Sequence, residues 1–372
     1  MTDEKIIDYR GLELKKADNA DEEILALLDE TVIGAEGGMQ YTMQNIAAKI
    51  KAYGSGIYFL SLYRKSRLAG VIGMCRRTTS TAGKNYDSTH LRYLTVRSAF
   101  QTESAILPKE MGTHLKESFK HKLFMLFSKP YYFPAEAAET DEKHVMYAYV
   151  ESKNERSKNL INQAGYEYIR SFLTVAFSRF TPKKNPRVSR LSPARYAEMN
   201  SKLKDFYSGY CFYTDEFNFY NDRYYVMQEG NEIVAGVSVI PTSYKVVNIP
   251  GVWGWLLMKI MPEVPYLKRL FRPGEFRFLV LGAIYCRKGS EQLLPDLFEA
   301  ACAEEEFNTA LTWLDDHSEL YDSLRTNRRM GTLNRILNAK PGLVYASFTN
   351  LTSDEKDRFY DSPVYISGFD FS

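Results

Sequence analysis

Residues 154–166 read Asn154, Glu155, Arg156, Ser157, Lys158, Asn159, Leu160, Ile161, Asn162, Gln163, Ala164, Gly165, Tyr166. A polar start, an apolar Leu160 inside and a glycine at the end predict a short helix over Glu155–Gln163. Gly165 supplies the left-handed residue that closes it. Upstream, Val145–Val150 has the β-branched and aromatic content of a strand, and downstream Gly165–Phe180 has the pattern of a β-hairpin rich in Tyr, Phe and Val. Strand, helix and strand in such close succession point to an α/β sheet rather than a sandwich or a helical bundle.

Working outward, the first half opens with an amphipathic helix over Asp21–Val32, for which Asp18 or Asn19 would be the cap, and a second helix at Thr42–Ala52. Ile57–Tyr63 and Ala69–Cys75 flank the charged turn Arg64–Arg67 as an antiparallel hairpin. His90–Val96 is a further strand, and Met111–Leu123 is helical. Thr181–Arg190 (TPKKNPRVSR) interrupts the pattern with two prolines and four basic residues, which marks a linker. Beyond it the order returns: a helix over Pro193–Phe206, a hairpin of Tyr224–Gln228 with Ile233–Ile240, and a proline-rich excursion. Then come a strand at Phe276–Cys286, a helix at Glu291–Glu304, a strand at Thr309–Leu314, a helix at Glu319–Leu324 and a strand at Gly342–Phe348.

With Asn154, a small residue three on, Leu160, Gly165 and then an aromatic, the first half resembles the GNAT family of acyltransferases. The resemblance implies two tandem GNAT-like domains, residues 1–180 and 191–372, each a mixed, mostly antiparallel sheet flanked by helices. It implies an N-acyltransferase that moves an acyl group, acetyl first of all, from acetyl-CoA or another acyl-CoA to the primary amine of a small molecule or peptide. The cofactor would lie where two parallel strands splay. Asn154 and Asn159 would border it, and the family's phosphate cradle would fall at Lys109, Gly112 and Thr113 in the first half. In the second half it would fall at Ile284, Arg287, Lys288, Gly289 and Ser290. The cradle of the second half has the better order, so the working site is expected there, with His317 and Asp316 in the base position and Tyr321 as the acid. The tyrosine that the family often uses as acid has no counterpart in the motif itself: the slot holds Ile161 in the first half and Leu324 or Asn327 in the second. A GNAT fold that has lost its chemistry and serves as a binding scaffold is the competing expectation, and a transferase using aminoacyl-tRNA is a third.

Composition bounds these expectations. At 372 residues the chain exceeds the usual size of a single core. Its 48 basic and 46 acidic side chains leave a formal charge of +2, which gives no field for holding a polyanion, so no nucleic-acid partner is expected. Cys75, Cys211, Cys286 and Cys302 are scattered, which predicts neither a zinc site nor a disulfide framework, and with no metal called for the reading is of free thiols in a cytoplasmic protein. Gly251–Met261, the most apolar stretch, contains Lys259 and is well short of the ~20 residues needed to span a bilayer; it reads as a core or rim helix, with no membrane anchor. The run Phe206–Tyr225, dense in Tyr and Phe, is assigned to core and interface packing.

Overall fold

The computed structural model describes residues 4–9, 11–34, 37–100, 113–128, 142–336 and 340–372. In the first half, β1 (Glu4–Tyr9) and β2 (Leu12–Ala17) precede α1 (Glu22–Glu30), and β3 (Gln40–Met43) precedes α2 (Ile46–Ala52). The cap of α1 is Asp21, whose carboxylate accepts from the Ile24 amide at 2.8 Å, rather than Asp18 or Asn19. Next come β4 (Ile57–Arg64), β5 (Arg67–Thr81) and β6 (Lys84–Val96), then α3 (Thr113–Ser128), β7 (His144–Glu151), α4 (Glu155–Gln163) and β8 (Glu167–Ser178). Lys65 and Ser66 both have positive φ, the condition for a two-residue turn that matches the strand twist.

The second half contains β9 (Val188–Arg190), α5 (Tyr196–Phe206), β10 (Tyr224–Glu229), β11 (Glu232–Asn248), α6 (Gly251–Trp255) and β12 (Phe276–Cys286). It ends with α7 (Leu294–Glu304), β13 (Thr309–Asp315), α8 (Glu319–Arg325), α9 (Thr332–Ile336), β14 (Gly342–Thr349) and α10 (Ser353–Asp361). The strands of both halves form a continuous mixed sheet in the order β1-β2-β4-β5-β6-β7-β14-β8-β13-β12-β11-β10-β9, and β3 pairs with β11. Every ladder is antiparallel except β6 with β7 and β12 with β13, one parallel pair in each half.

The centre of the sheet is exchanged between the halves. Strand β14, from the second half, lies between β7 and β8 of the first, and β8 pairs in turn with β13. The hairpin expected over Gly165–Phe180 is therefore a single strand. Residues 167–178 hold no turn-forming glycine, proline or asparagine, and strands of the second half pair with both edges of β8, β14 along Glu167–Phe172 and β13 along Phe172–Ser178. At Gly342 the exchange is tight: a Cβ there would lie 2.2 Å from the Phe172 ring.

Layers of side chains cover both faces. On one face of the first half, Ile24, Leu28, Ile46 and Ile50 pack on Phe59, Val71 and Tyr147. On the other, Phe127 and Ile161 pack on Ile72, Met74 and Ala148. Helices α7 and α8 cover the second half with Leu297, Phe298 and Leu324. The aromatic run 206–225 wedges between the halves: Tyr213 exchanges backbone hydrogen bonds with Ser80 of β5, and Cys211 pairs with Pro363 and Tyr365 of the C-terminal segment. That segment, 363–372, is almost wholly buried and returns to the first half.

Candidate active site

Each parallel pair opens into a notch, and the two notches differ. In the first half the ladder of β6 with β7 ends at Leu91 and Ala148. Just beyond, Tyr93 and Leu94 bulge against Ile72 of β5, and Tyr93 takes a φ of 55°. The strands diverge around a cavity of about 340 Å³. Leu28, Met43 and Ile46 line it from the α1–α2 face, while Phe127, Asn154, Ser157 and Ile161 line it from the α3–α4 face, so the cavity passes through the sheet. From Arg92 onward no strand among the described residues lies beside the β7-facing edge of β6.

In the second half, β12 and β13 pair only at Leu279–Ala310 and Val280–Leu311. A matching bulge puts Ala283 at a φ of 43°. Here Tyr207 and Tyr365 fill the notch and leave about 10 Å³. The Tyr207 hydroxyl donates to the Ile284 carbonyl at 2.6 Å, and that of Tyr224 donates to the Ala283 carbonyl at 2.9 Å. The bulge is occupied from within the chain.

The first notch ends on a buried charged cluster. Asp370, from the C-terminal segment, accepts from both terminal nitrogens of Arg77 at 2.8 and 3.1 Å and from the Tyr53 hydroxyl at 3.3 Å. Arg92 donates to the Asp370 carbonyl and the Tyr53 hydroxyl. His90 places Nδ1 3.4 Å from the Asp370 carboxylate and stacks on Tyr147. Burial pushes the Asp370 carboxyl upward, but Arg77, His90 and Arg92 outweigh it and hold the group well below the usual carboxylate range. Asp370 is thus a fixed anion, unsuited to collecting protons at neutral pH. Burial lowers His90 to about 4, so its ring is neutral at pH 7. Tyr93 is pushed up to about 12 by burial and stays protonated, and its buried hydroxyl has no hydrogen-bond partner among the described residues.

The residues expected from sequence lie apart. Lys109 and Gly112 fall outside the described residues, and Thr113 is exposed at the start of α3. Asn154 caps α4 by accepting from the Ser157 amide at 3.0 Å and lines the open cavity, whereas Asn159 faces solvent. In the second half, Ile284 is core. Arg287 pairs with Glu229 and Glu232 at 2.9 Å each, Lys288 is exposed, and the Gly289 amide donates to Glu291. Ser290 is buried. Asp315 is a latch: it pairs with Arg170 at 2.8 Å and accepts from the amides of His317 and Val364. Asp316 accepts from Ser171. His317 is 74% exposed, and Tyr321 is buried beneath α8. Ser318 caps α8, its side chain accepting from the Tyr321 amide at 3.2 Å. These second-half residues do not converge on an opening.

Sequence reasoning passed over Arg77, His90, Arg92, Tyr93 and Asp370. A signal existed for Arg77, because Val71 and Cys75 set the inward row of β5 and Arg77 continues it. A charge in an apolar row needs a buried partner. That partner, Asp370, is 293 residues away in sequence.

Burial holds both His90 and His144 at about 4 in the folded chain, against an ordinary 6.5. Between those values the unfolded chain binds the protons and the folded chain does not, so their contribution to stability is full above pH 6.5 and is lost as pH falls toward 4. Each should add about 1.4 kcal/mol per pH unit to the slope of unfolding free energy near pH 5. Urea unfolding of His144→Asn at pH 7, 6 and 5 should show a slope lower by about that amount; an unchanged slope would refute the buried neutral state.

No protein-family model matches the sequence, and no curated protein matches it. Among solved structures, N-myristoyltransferase of Saccharomyces cerevisiae with bound myristoyl-CoA superposes over 98% of this chain and 92% of its own, at 11% identity and a TM-score of 0.53. A second crystal structure of that yeast enzyme with bound myristoyl-CoA gives 0.53 over 98% and 87%. A GCN5-related N-acetyltransferase from Anabaena variabilis is similar over 89% of this chain and 72% of its own at 10% identity, with a TM-score of 0.46. The chain has the fold of the tandem GNAT proteins, and at these identities the likeness is one of fold.

Proposed function

We propose that this chain, built on the tandem GNAT fold, transfers an acyl group from an acyl-coenzyme A to an amine, and that the donor binds in the notch of the first half. The observation that carries this reading is the cavity through the sheet where β6 and β7 diverge. The edge of β6 after Leu91, unpaired among the described residues, offers backbone groups to the two amides of the coenzyme's extended arm, much as a strand edge receives a peptide. Asn154 and Ser157 put the start of α4 at one mouth, and Leu28, Met43 and Ile46 line the other, through which the amine would approach. When bound, the donor supplies an activated thioester. Tyr93, protonated and without a hydrogen-bond partner among the described residues, is placed to give the leaving thiolate its proton as the C–S bond breaks and the C–N bond forms, and the proton that the attacking amine sheds restores the phenol. The yeast enzyme is described with myristoyl-CoA, and the apolar lining here admits chains longer than acetyl, so the donor class is acyl-CoA with its length open to measurement.

Calorimetric titration with a series from acetyl- to myristoyl-CoA tests the reading. At least one member should bind saturably at micromolar concentration, and Ser157→Trp, which obstructs the α4 mouth, should weaken that member at least ~tenfold. Failure of every member up to millimolar concentration would put a scaffold role in its place. Once an amine acceptor is found, Tyr93→Phe should lower kcat about a hundredfold with little change in KM. An unchanged kcat would remove Tyr93 from the chemistry.

A further inference from the structure

We propose that the segment 247–266, which runs from the end of β11 toward β12, docks on an anionic lipid surface. Six of the nine large apolar side chains that are exposed among the described residues lie in these twenty positions: Val247, Val252, Trp255, Ile260, Val264 and Tyr266. They are not spare core residues. Gly254, Leu257 and Met261 face inward in the same stretch, while Val252 is 82% exposed and Trp255 58% exposed, so the segment keeps a packed side and projects an apolar one. The surroundings are basic. Lys245, Lys259, Lys268, Arg269 and Arg272 are all exposed, against Glu263 and Glu275, and none of the five forms an ion pair among the described residues. Arg269 lies over the Tyr266 ring.

Charge and shape select the occupant. Unpaired cations around an apolar protrusion complement phosphate headgroups above a hydrocarbon layer, and Trp and Tyr are the side chains that settle at that boundary. A side chain as exposed as Val252 has few neighbours of its own and would need a fitted recess in a protein partner; a bilayer yields to it. No helix of the described residues is long and apolar enough to cross a membrane, so the contact would be peripheral. This inference does not depend on the acyl-transfer reading. Were both correct, the link would be β11, which carries Tyr244 at the cavity and runs directly into the patch.

Flotation of the full chain with vesicles of phosphatidylcholine, with and without phosphatidylserine, tests it. The chain should float with the mixed vesicles, less as salt rises. Trp255→Glu and the pair Lys268→Glu/Arg269→Glu should each lower the partition coefficient about tenfold. These side chains are exposed, so the variants should melt as the parent does; if Trp255→Glu does not, Val252→Glu asks the same question. Absence of flotation with mixed vesicles, or flotation unaffected by the substitutions, overturns the proposal. So does a concentration-dependent dimer in sedimentation that Trp255→Glu dissociates while vesicle binding is missing, because the patch would then belong to a second copy.

Discussion

Asp370→Asn should cost the chain about 3–5 kcal/mol of unfolding free energy, measured by urea denaturation at pH 7, because it removes the one anion that two buried guanidinium groups share. The side chains of Arg77 and Asp370 are fully buried, and Arg92 is nearly so. Asparagine keeps the volume and an acceptor oxygen but leaves Arg77 only the half-exposed Glu216 carboxylate, 4.0 Å from its Nε, to offset its desolvation. The pair itself is not a net source of stability; the cost arises from breaking it on one side only. Arg77→Met combined with Asp370→Asn should therefore recover much of the loss, since Arg92 retains the Asp370 carbonyl and the Tyr53 hydroxyl. A loss below ~1 kcal/mol in the single variant would show that water or rearrangement satisfies Arg77 and that the cluster is not the fixed charge described above. The same cluster sets an acid limit. Asp370 is held well below the usual range, so its contribution is present above the unfolded carboxylate value of ~3.9 and is lost only as pH falls toward the folded value.

How far the sequence discloses this molecule follows from the range of the forces involved. Helix α4 was legible to the residue, because its cap, its inward Leu160 and its closing Gly165, with a φ of +81°, are all local. Strands β4, β7, β12 and β13 were legible as apolar runs between turns. The fate of β8 was not, since a single strand with two partners and a hairpin share the same composition; what decides between them is a strand more than 160 residues further along. The candidate site divides in the same way. Asn154, which lines the open cavity, belongs to a contiguous motif, whereas the difference between the two notches rests on Tyr207 and Tyr365, which are dispersed in sequence and fill one of them. A cradle-like turn at Arg287–Ser290 carried the expectation to the second half, where Arg287 pairs with Glu229 and Glu232 and Lys288 is exposed.

The exchanged centre of the sheet leads to the largest effect expected of any alteration: neither residues 1–180 nor residues 191–372 should fold alone. The first fragment lacks β14, which pairs along the whole of β7 from His144 to Glu151 and holds β8 beside it. Without it the apolar edge of β7 is bare, and β8 has no partner on either side. The first fragment also lacks Asp370, so Arg77 and Arg92 would have to be buried without an anion. The second fragment loses β8 from the edge of β13 across all seven pairs from Thr309 to Asp315. It also loses Arg170, the partner of the buried Asp315. Each half is thus short of one central strand and one charge partner, and the deficit reaches the ~5–15 kcal/mol that a whole domain has to spare. Circular dichroism melts should show no cooperative transition in either fragment and a single transition in the intact chain, and co-expression of the two pieces should restore it. A sigmoidal melt with dispersed amide resonances from residues 1–180 alone would mean that the first half closes its sheet unaided and that β14 is an addition to a finished domain.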